Sequence, residues 1–211
     1  VYLRDDGNGD YWSLSWQPTG LPLNQAKYEA RHGLSYSVFT CEYADIRASE
    51  TLFIPREDGG DDPVEIFDVR IRNTSDRERR ISAYGYVEFS FHEIDMDNQN
   101  FQMSLYAAGS HYRGDACLNE LHYEPGAYQF FAGNFEPDGH DGVREAFIGP
   151  YRTERNPAAV EQGVLSGSTE LGGNVCGALQ KKLILRPGEE KRILFYLGTG
   201  REDAAEQARK K

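Results

Sequence analysis

The feature that most constrains this chain is a two-residue rhythm. Apolar and polar side chains alternate over much of Leu34 to Cys41 and Ile46 to Ile54, and again through Val64 to Arg72, where Val64, Ile66, Val69 and Ile71 carry the pattern. Residues two apart share one face of an extended chain, so each run offers one apolar face to a core and one polar face to water. The aromatic-rich runs Val1 to Arg4 and Tyr11 to Trp16 flank Asp5-Asp6-Gly7-Asn8-Gly9-Asp10, a segment dense in turn formers, which predicts a hairpin. Arg79 to Phe91 reads as a further, imperfectly alternating strand, interrupted by Asp95 to Asn100. Phe101 to Ala107, Ala116 to Tyr123, Ala127 to Asn134, Ala178 to Leu185 and Lys191 to Leu197 follow, with turns such as Glu124-Pro125-Gly126 and Arg186-Pro187-Gly188 between them. About ten such runs with almost no helical period predict an all-β fold, a large antiparallel β-sandwich. The Gly- and Pro-rich stretch Asn134 to Gly177 is expected to form surface loops, and Glu202 to Lys211 switches to helix formers. Residues 1–200 are therefore read as the sandwich and 201–211 as the start of a helix leading onward.

Composition narrows the class. At 211 residues, 39% of them hydrophobic and 12% aromatic, the chain can bury one substantial core, although its mean hydropathy is only -0.66. A formal net charge of -11, with basic residues scattered among acids, opposes binding to a polyanion. Nucleic acid is excluded as an expected partner. Cys41, Cys117 and Cys176 are odd in number and widely spaced, which suits a reducing, cytoplasmic setting better than a disulfide scaffold or zinc site. No apolar run reaches the roughly 20 residues that span a bilayer, and no signal region opens the chain. Val1 already lies in a strand-like run, so the sequence is expected to be a domain of a longer protein.

The chemistry-bearing residues do not assemble a catalytic motif. Asp95 with Asp97, or Asp138 with Asp141, could be imagined as a glycosidase pair, but acids in polar loops ordinarily serve turns and solubility, and none is assigned a catalytic role. The five histidines never occur at His-x-x-x-His spacing, so no metal is expected. Leu165-Ser166-Gly167-Ser168 lacks the pattern and following helix of a nucleophile elbow. Gly20, Gly59-Gly60 and Gly172-Gly173 read as turns. Tyr11, Trp12, Trp16 and Tyr28 could stack on sugar rings, although alternating aromatics more often fill a sandwich core, and that reading is preferred.

Several phrases in order resemble the N-terminal domain of glycoside hydrolase family 94, the inverting phosphorylases of β-glucosides. They are Tyr11-Trp12-Ser13-Leu14-Ser15-Trp16-Gln17-Pro18, Tyr28-Glu29-Ala30-Arg31-His32-Gly33-Leu34-Ser35-Tyr36, Glu50-Thr51-Leu52-Phe53-Ile54-Pro55 and Tyr86-Val87-Glu88-Phe89. Arg144-Glu145-Ala146-Phe147-Ile148-Gly149 and Leu185-Arg186-Pro187-Gly188-Glu189-Glu190 extend the similarity over nearly the whole chain. The resemblance implies a supersandwich of galactose-mutarotase type, followed by linker helices and an (α/α)6-barrel that holds the general acid and the phosphate site. It implies a parent enzyme that splits a β-1,4-gluco-oligosaccharide (cellodextrin, cellobionic acid or cellobiose) with inorganic phosphate, giving α-glucose 1-phosphate and a shortened sugar. The reverse synthesis is equally accessible. No cofactor is implied beyond phosphate as co-substrate, and the expected partners are the sugar, phosphate or glucose 1-phosphate, the chain's own barrel and a second copy in a homodimer.

In that family a loop of this domain reaches the partner subunit's acceptor-sugar site, and Asp95 to Ser104 matches it. Cellobiose phosphorylases tend to carry Asn-aromatic-Gln-Arg there; this chain has Asn100-Phe101-Gln102-Met103. The expected substrate-binding residues are Gln102, Asn100 and Met103, with the Gln102 amide hydrogen-bonding acceptor hydroxyls. Loss of the guanidinium removes five donors and a charge, which shifts the expectation from cellobiose towards a longer or modified acceptor. For Arg31-His32-Gly33 a structural role is preferred over a sugar contact. The alternatives are a non-catalytic carbohydrate-binding or purely structural sandwich, and a family relative acting on another β-linkage, including β-1,2, β-1,3 or chitobiose types.

Overall fold

The computed structural model describes residues 1–55, 64–89, 108–121, 126, 128–201 and 203–210. In chain order the described strands are β1 (Tyr2–Asp5), β2 (Tyr11–Ser13), β3 (Lys27–His32), β4 (Tyr36–Tyr43), β5 (Ile46–Phe53), β6 (Val64–Asn73) and β7 (Arg79–Glu88). Then come β8 (Ala108–Arg113), β9 (Ala116–Leu121), β10 (Tyr128–Gly133), β11 (Gly139–Val143), β12 (Val175–Leu185) and β13 (Glu190–Gly200). Among the described residues three short helices accompany them: α1 (Arg144–Ile148), α2 (Ala158–Gln162) and α3 (Ala204–Arg209). Two antiparallel sheets, ordered β11-β12-β7-β1-β2 and β3-β4-β5-β6-β13-β10-β9-β8, form the sandwich that the alternation predicts. No described helix is long and apolar enough to cross a membrane.

Three apolar layers explain why the alternation is imperfect. Between the sheets lie Leu3, Trp12, Val69, Ile71, Ile81, Ala83, Phe131, Leu179 and Phe195, contributed by alternate positions of their strands. On the outside of the five-stranded sheet, Tyr2, Tyr84 and Ala178 are buried beneath Phe147 and Ile148 of α1 and Ala159 and Val160 of α2. On the outside of the eight-stranded sheet, Leu118, Phe130, Ala132 and Tyr196 are covered by Ala205 and Ala208 of α3. A strand buried on both faces needs apolar residues at consecutive positions, hence Phe130-Phe131-Ala132 in β10. Arg209 fastens α3, its guanidinium donating to the carbonyls of Gly133, Gly114 and Asp115 at 2.6 Å each.

The expectation of loops through Asn134 to Gly177 is corrected: β11, α1 and α2 lie there. β3 and β8 are likewise strands the alternation does not announce. β3 is an edge strand whose Lys27, Glu29 and Arg31 are exposed, the charged edge that discourages pairing with other chains. The strand expected over Phe101 to Ala107 lies outside the described residues.

The two ends of the sandwich differ. One end carries tight turns: Ala44 and Asp45 join β4 to β5 with φ of 49 and 59, and Gly114 and Asp115 join β8 to β9 with φ of 54 and 58. Buried Asn73 reinforces this end, its amide donating to the carbonyls of Arg77, Leu185 and Arg186, so the β6–β7 and β12–β13 turns are tied together. A buried Arg79–Asp5 pair at 2.8 Å adds a second tie. At the opposite end β5, β7 and β9 finish and β6, β8 and β10 begin, so the connections containing residues 56–63, 90–107 and 122–127 all leave and return there. A rigid scaffold with its longer connections at one end is the arrangement in which binding residues ordinarily sit.

Candidate functional site

Asn100, Gln102 and Met103 lie outside the described residues, as do Asp95 and Asp97. What the structure does place is the pair of roots from which their connection departs, the end of β7 and the start of β8. At the first root, the outward positions of β7 are Tyr84, Tyr86 and Glu88, which face α1 and α2. Tyr86 stacks on Phe147 of α1 at 4.5 Å and 11°. Glu88 Oε1 accepts the Tyr86 hydroxyl at 2.5 Å and Arg144 Nε at 2.9 Å. Arg144 Nη2 continues to Glu154 Oε1 at 2.5 Å, and the Tyr2 hydroxyl donates to the Glu154 carbonyl at 2.7 Å. One guanidinium thus joins the last residue of β7 to the loop between α1 and α2 with the directional fork that arginine supplies.

The electrostatics follow from burial and neighbours. Burial first, then the hydrogen bond to Glu88, pushes the Tyr86 hydroxyl far above its ordinary range, so it acts as a neutral donor. Burial opposes the charge on Arg144, but Glu88 and Glu154 outweigh it and hold the guanidinium firmly protonated. A hydrogen bond from its own backbone, then Arg144, keeps the Glu154 carboxyl below the usual range despite partial burial. α1 itself ends at Gly149, whose φ is 90 and where a Cβ would lie 2.8 Å from Ala158 Cβ, so no side chain fits where α1 abuts α2.

The second root is stitched from both sheets. The segment after α2 donates Gly167 N to the His140 carbonyl at 2.9 Å and accepts Gly142 N on the Ser168 carbonyl at 2.8 Å, which ties it to β11. It then pairs with the β8 edge: Ser110 N donates to the Glu170 carbonyl at 2.8 Å and Gly172 N to that of Ala108 at 2.9 Å. Asp141 of β11 fixes this strap. Fully buried, its Oδ1 receives Ser166 N at 3.1 Å, Ser166 Oγ at 2.5 Å, Ser168 N at 3.1 Å and Ser168 Oγ at 2.8 Å. Beside it His140 stacks on Tyr112 at 3.6 Å and 2°, and burial lowers the basicity of the imidazole against the opposing pull of Asp141.

These positions correct the reading of the acids. Asp141 is an internal anchor, not a solubility residue, and Asp138 is occupied by Lys182 N at 2.8 Å and by Lys181 Nζ at 3.3 Å. The two serines near the rejected elbow motif are Asp141's partners. No sequence signal joins them, because the spacing of Ser166 and Ser168 from Asp141 matches no local motif. Among the described residues no group of His, Cys, Asp and Glu could hold a metal ion. The three cysteines are free and buried.

The aromatic platform does not form. Trp12 is completely buried between the sheets, edge-on to Tyr43 at 5.2 Å, whereas Tyr11 packs on the outer face of the same sheet. Trp16 is exposed, with its indole N–H on the Leu21 carbonyl at 3.0 Å. Arg31 is engaged by Glu29 at 2.7 Å and His32 Nδ1 lies 2.9 Å from Ser37 Oγ. The described arrangement therefore fixes the end of β7 and the start of β8, the two roots of the connection that contains residues 90–107.

Comparison with known proteins agrees with this architecture. The family model described as glycosyl hydrolase 94, supersandwich domain, matches residues 1–211. The chain is 52% identical over 204 residues to the N,N'-diacetylchitobiose phosphorylase of Vibrio proteolyticus, covering 95% of this chain and 25% of that protein. It is 30% identical over 214 residues to the solabiose phosphorylase of Paenibacillus borealis, covering 99% and 26% respectively. The chain thus spans about a quarter of the length of these relatives. A solved bacterial glucoamylase complexed with acarbose shares the fold at a TM-score of 0.56 and 8% identity, over 100% of this chain and 28% of that one.

Proposed function

The chain belongs to the glycosyl hydrolase 94 supersandwich family, and from that premise we propose that it is the scaffold domain of an inverting phosphorylase acting on N,N'-diacetylchitobiose. The observation that carries the substrate is the 52% identity over 95% of the chain to a diacetylchitobiose phosphorylase. Cellodextrin, cellobionic acid and cellobiose give way to it, and chitobiose was among the linkage alternatives. Met103 stands where the cellobiose enzymes tend to carry an arginine, which supports an acceptor other than cellobiose. On this reading phosphate attacks the anomeric carbon from the face opposite the leaving oxygen while a single carboxyl protonates that oxygen, giving α-N-acetylglucosamine 1-phosphate and N-acetylglucosamine. The carboxyl and the phosphate site belong to a barrel domain outside residues 1–211. This domain contributes a dimer scaffold and, through Asn100, Gln102 and Met103, an acceptor-side loop.

The test is a phosphate-consumption panel on the full-length parent with N,N'-diacetylchitobiose, cellobiose, cellodextrins and cellobionic acid. Turnover is expected with diacetylchitobiose at a kcat/KM at least about a hundredfold above the gluco-configured sugars. Preference for any gluco-oligosaccharide overturns the substrate reading. In the synthetic direction Gln102→Ala should raise the KM for the acceptor, and an unchanged KM removes the loop assignment.

A further inference from the structure

β5 runs out into Leu52-Phe53-Ile54, three consecutive apolar residues. In β10 the same signature marks a strand buried on both faces. Ile46 and Ala48, at two-residue steps before Leu52, belong to the core between the sheets, so Phe53 faces outward. There it lies in a row that the register runs across six strands. Ala116, Ala132, Tyr196, Ile66, Phe53 and Tyr36 stand directly opposite one another in β9, β10, β13, β6, β5 and β4. α3 covers one half of this row, where Ala116 and Ala132 are 0% and Tyr196 4% exposed. Among the described residues nothing comparable covers the other half: Phe53 belongs to none of the three apolar layers, Tyr36 is 52% exposed, and Leu34 and Ile54 are exposed beside it. The next row towards the tight turns ends the patch, because it carries Asp68, gripped by Arg192 at 2.8 and 3.1 Å, and finishes on Arg31. An apolar patch with a charged border is the anatomy of an interface.

α3 also points to the occupant. It is the last described element and lies on this face, and the chain spans only 25% and 26% of two relatives it matches, so most of a protein of that size is available to extend the layer α3 begins. We propose that the Ile66–Phe53–Tyr36 half of the row is an intramolecular docking surface, covered by chain that follows residue 211. The inference rests on the reading that sets a further domain of the same protein outside residues 1–211, and not on the sugar that protein acts on.

The experiment uses the full-length protein with Tyr36 replaced by p-benzoylphenylalanine, a photocrosslinking aromatic. After irradiation, adducts are sized on a denaturing gel and mapped by mass spectrometry. The expected adduct has the mass of a single chain and joins position 36 to a peptide beyond residue 211. An adduct of two-chain mass assigns the patch to a second copy, an adduct confined to residues 1–211 assigns it to this domain, and no adduct leaves it facing solvent. Each of these three results overturns the proposal. Tyr36→Asp in the full-length protein supplies a second readout. A carboxylate pressed into a covered apolar row should lower Tm by about 2 °C or more, and an unchanged Tm overturns the proposal as well. Should the crosslinker variant at position 36 fail to fold, Leu34, which is 108% exposed, carries the same probe and is read by the same criteria. The phosphate panel tests the sugar alone: its failure leaves this surface standing, and an overturned surface leaves the sugar standing.

Discussion

Asp141 shows how much one side chain can organise. Two backbone amides and two hydroxyls converge on its Oδ1 from Ser166 and Ser168, so a strap with no regular structure of its own is bound to β11. Asp141→Ala leaves those donors without their acceptor and frees a strap that is itself partly exposed, and a loss of about 1–2 kcal/mol in unfolding free energy is expected from urea denaturation. A midpoint equal to that of the parent chain would mean the strap holds itself. Gly85 makes the opposite point, that absence of a side chain can be a packing requirement. A Cβ there would lie 2.6 Å from Phe195 and 2.7 Å from Phe131, two rings stacked at 5.4 Å and 3° in the inter-sheet core. Gly85→Ala must displace that stack, and about 2 kcal/mol of destabilisation is expected by the same measurement.

At the scale of elements, the β4–β5 hairpin turns on Ala44 and Asp45, both at positive φ. Aspartate tolerates that region, but alanine brings its Cβ against the following carbonyl, at a cost of about 1 kcal/mol. Ala44→Asn should relieve part of this and raise Tm by roughly 2–4 °C for each kcal/mol regained. A lowered Tm would show that the turn depends on the small side chain. The same scale shows what sequence patterning reveals and conceals. β5, β6, β12 and β13 are legible because each presents a mostly apolar inner face. β3 is concealed because Lys27, Glu29 and Arg31 guard a sheet edge, β8 because Gly109 and Ser110 meet the backbone of Leu171 and Glu170, and β11 because the residues it buries are Asp141 and Gly142. Each is a strand whose requirements are polar or steric, not apolar. The candidate site divides similarly. Gln102 emerges from a motif resemblance, but Tyr86-Val87-Glu88-Phe89 and Arg144-Glu145-Ala146-Phe147 give no sign in sequence that Glu88 and Arg144, 56 positions apart, form one clamp.

For the whole molecule, burial of ionisable groups sets a direction in pH. His140 lies against Tyr112 with its pKa below the ordinary 6.5, so the fold favours the neutral imidazole. The unfolded chain then binds a proton that the folded one resists, which makes stability full above about pH 6.5 and progressively lower as pH falls through that value. Glu154 adds to the same trend further down: its folded pKa lies below 4.5, so the stability it contributes is present above that value and is lost as pH falls through the folded pKa. The denaturation midpoint of the domain should therefore fall between pH 7.5 and pH 5.5, before the carboxylates contribute. His140→Phe keeps an aromatic ring on Tyr112 and removes the titration, while His32 and His111 remain in both proteins. The decline between those two pH values should be shallower in His140→Phe than in the parent, and equal slopes would transfer the acid sensitivity to groups other than His140.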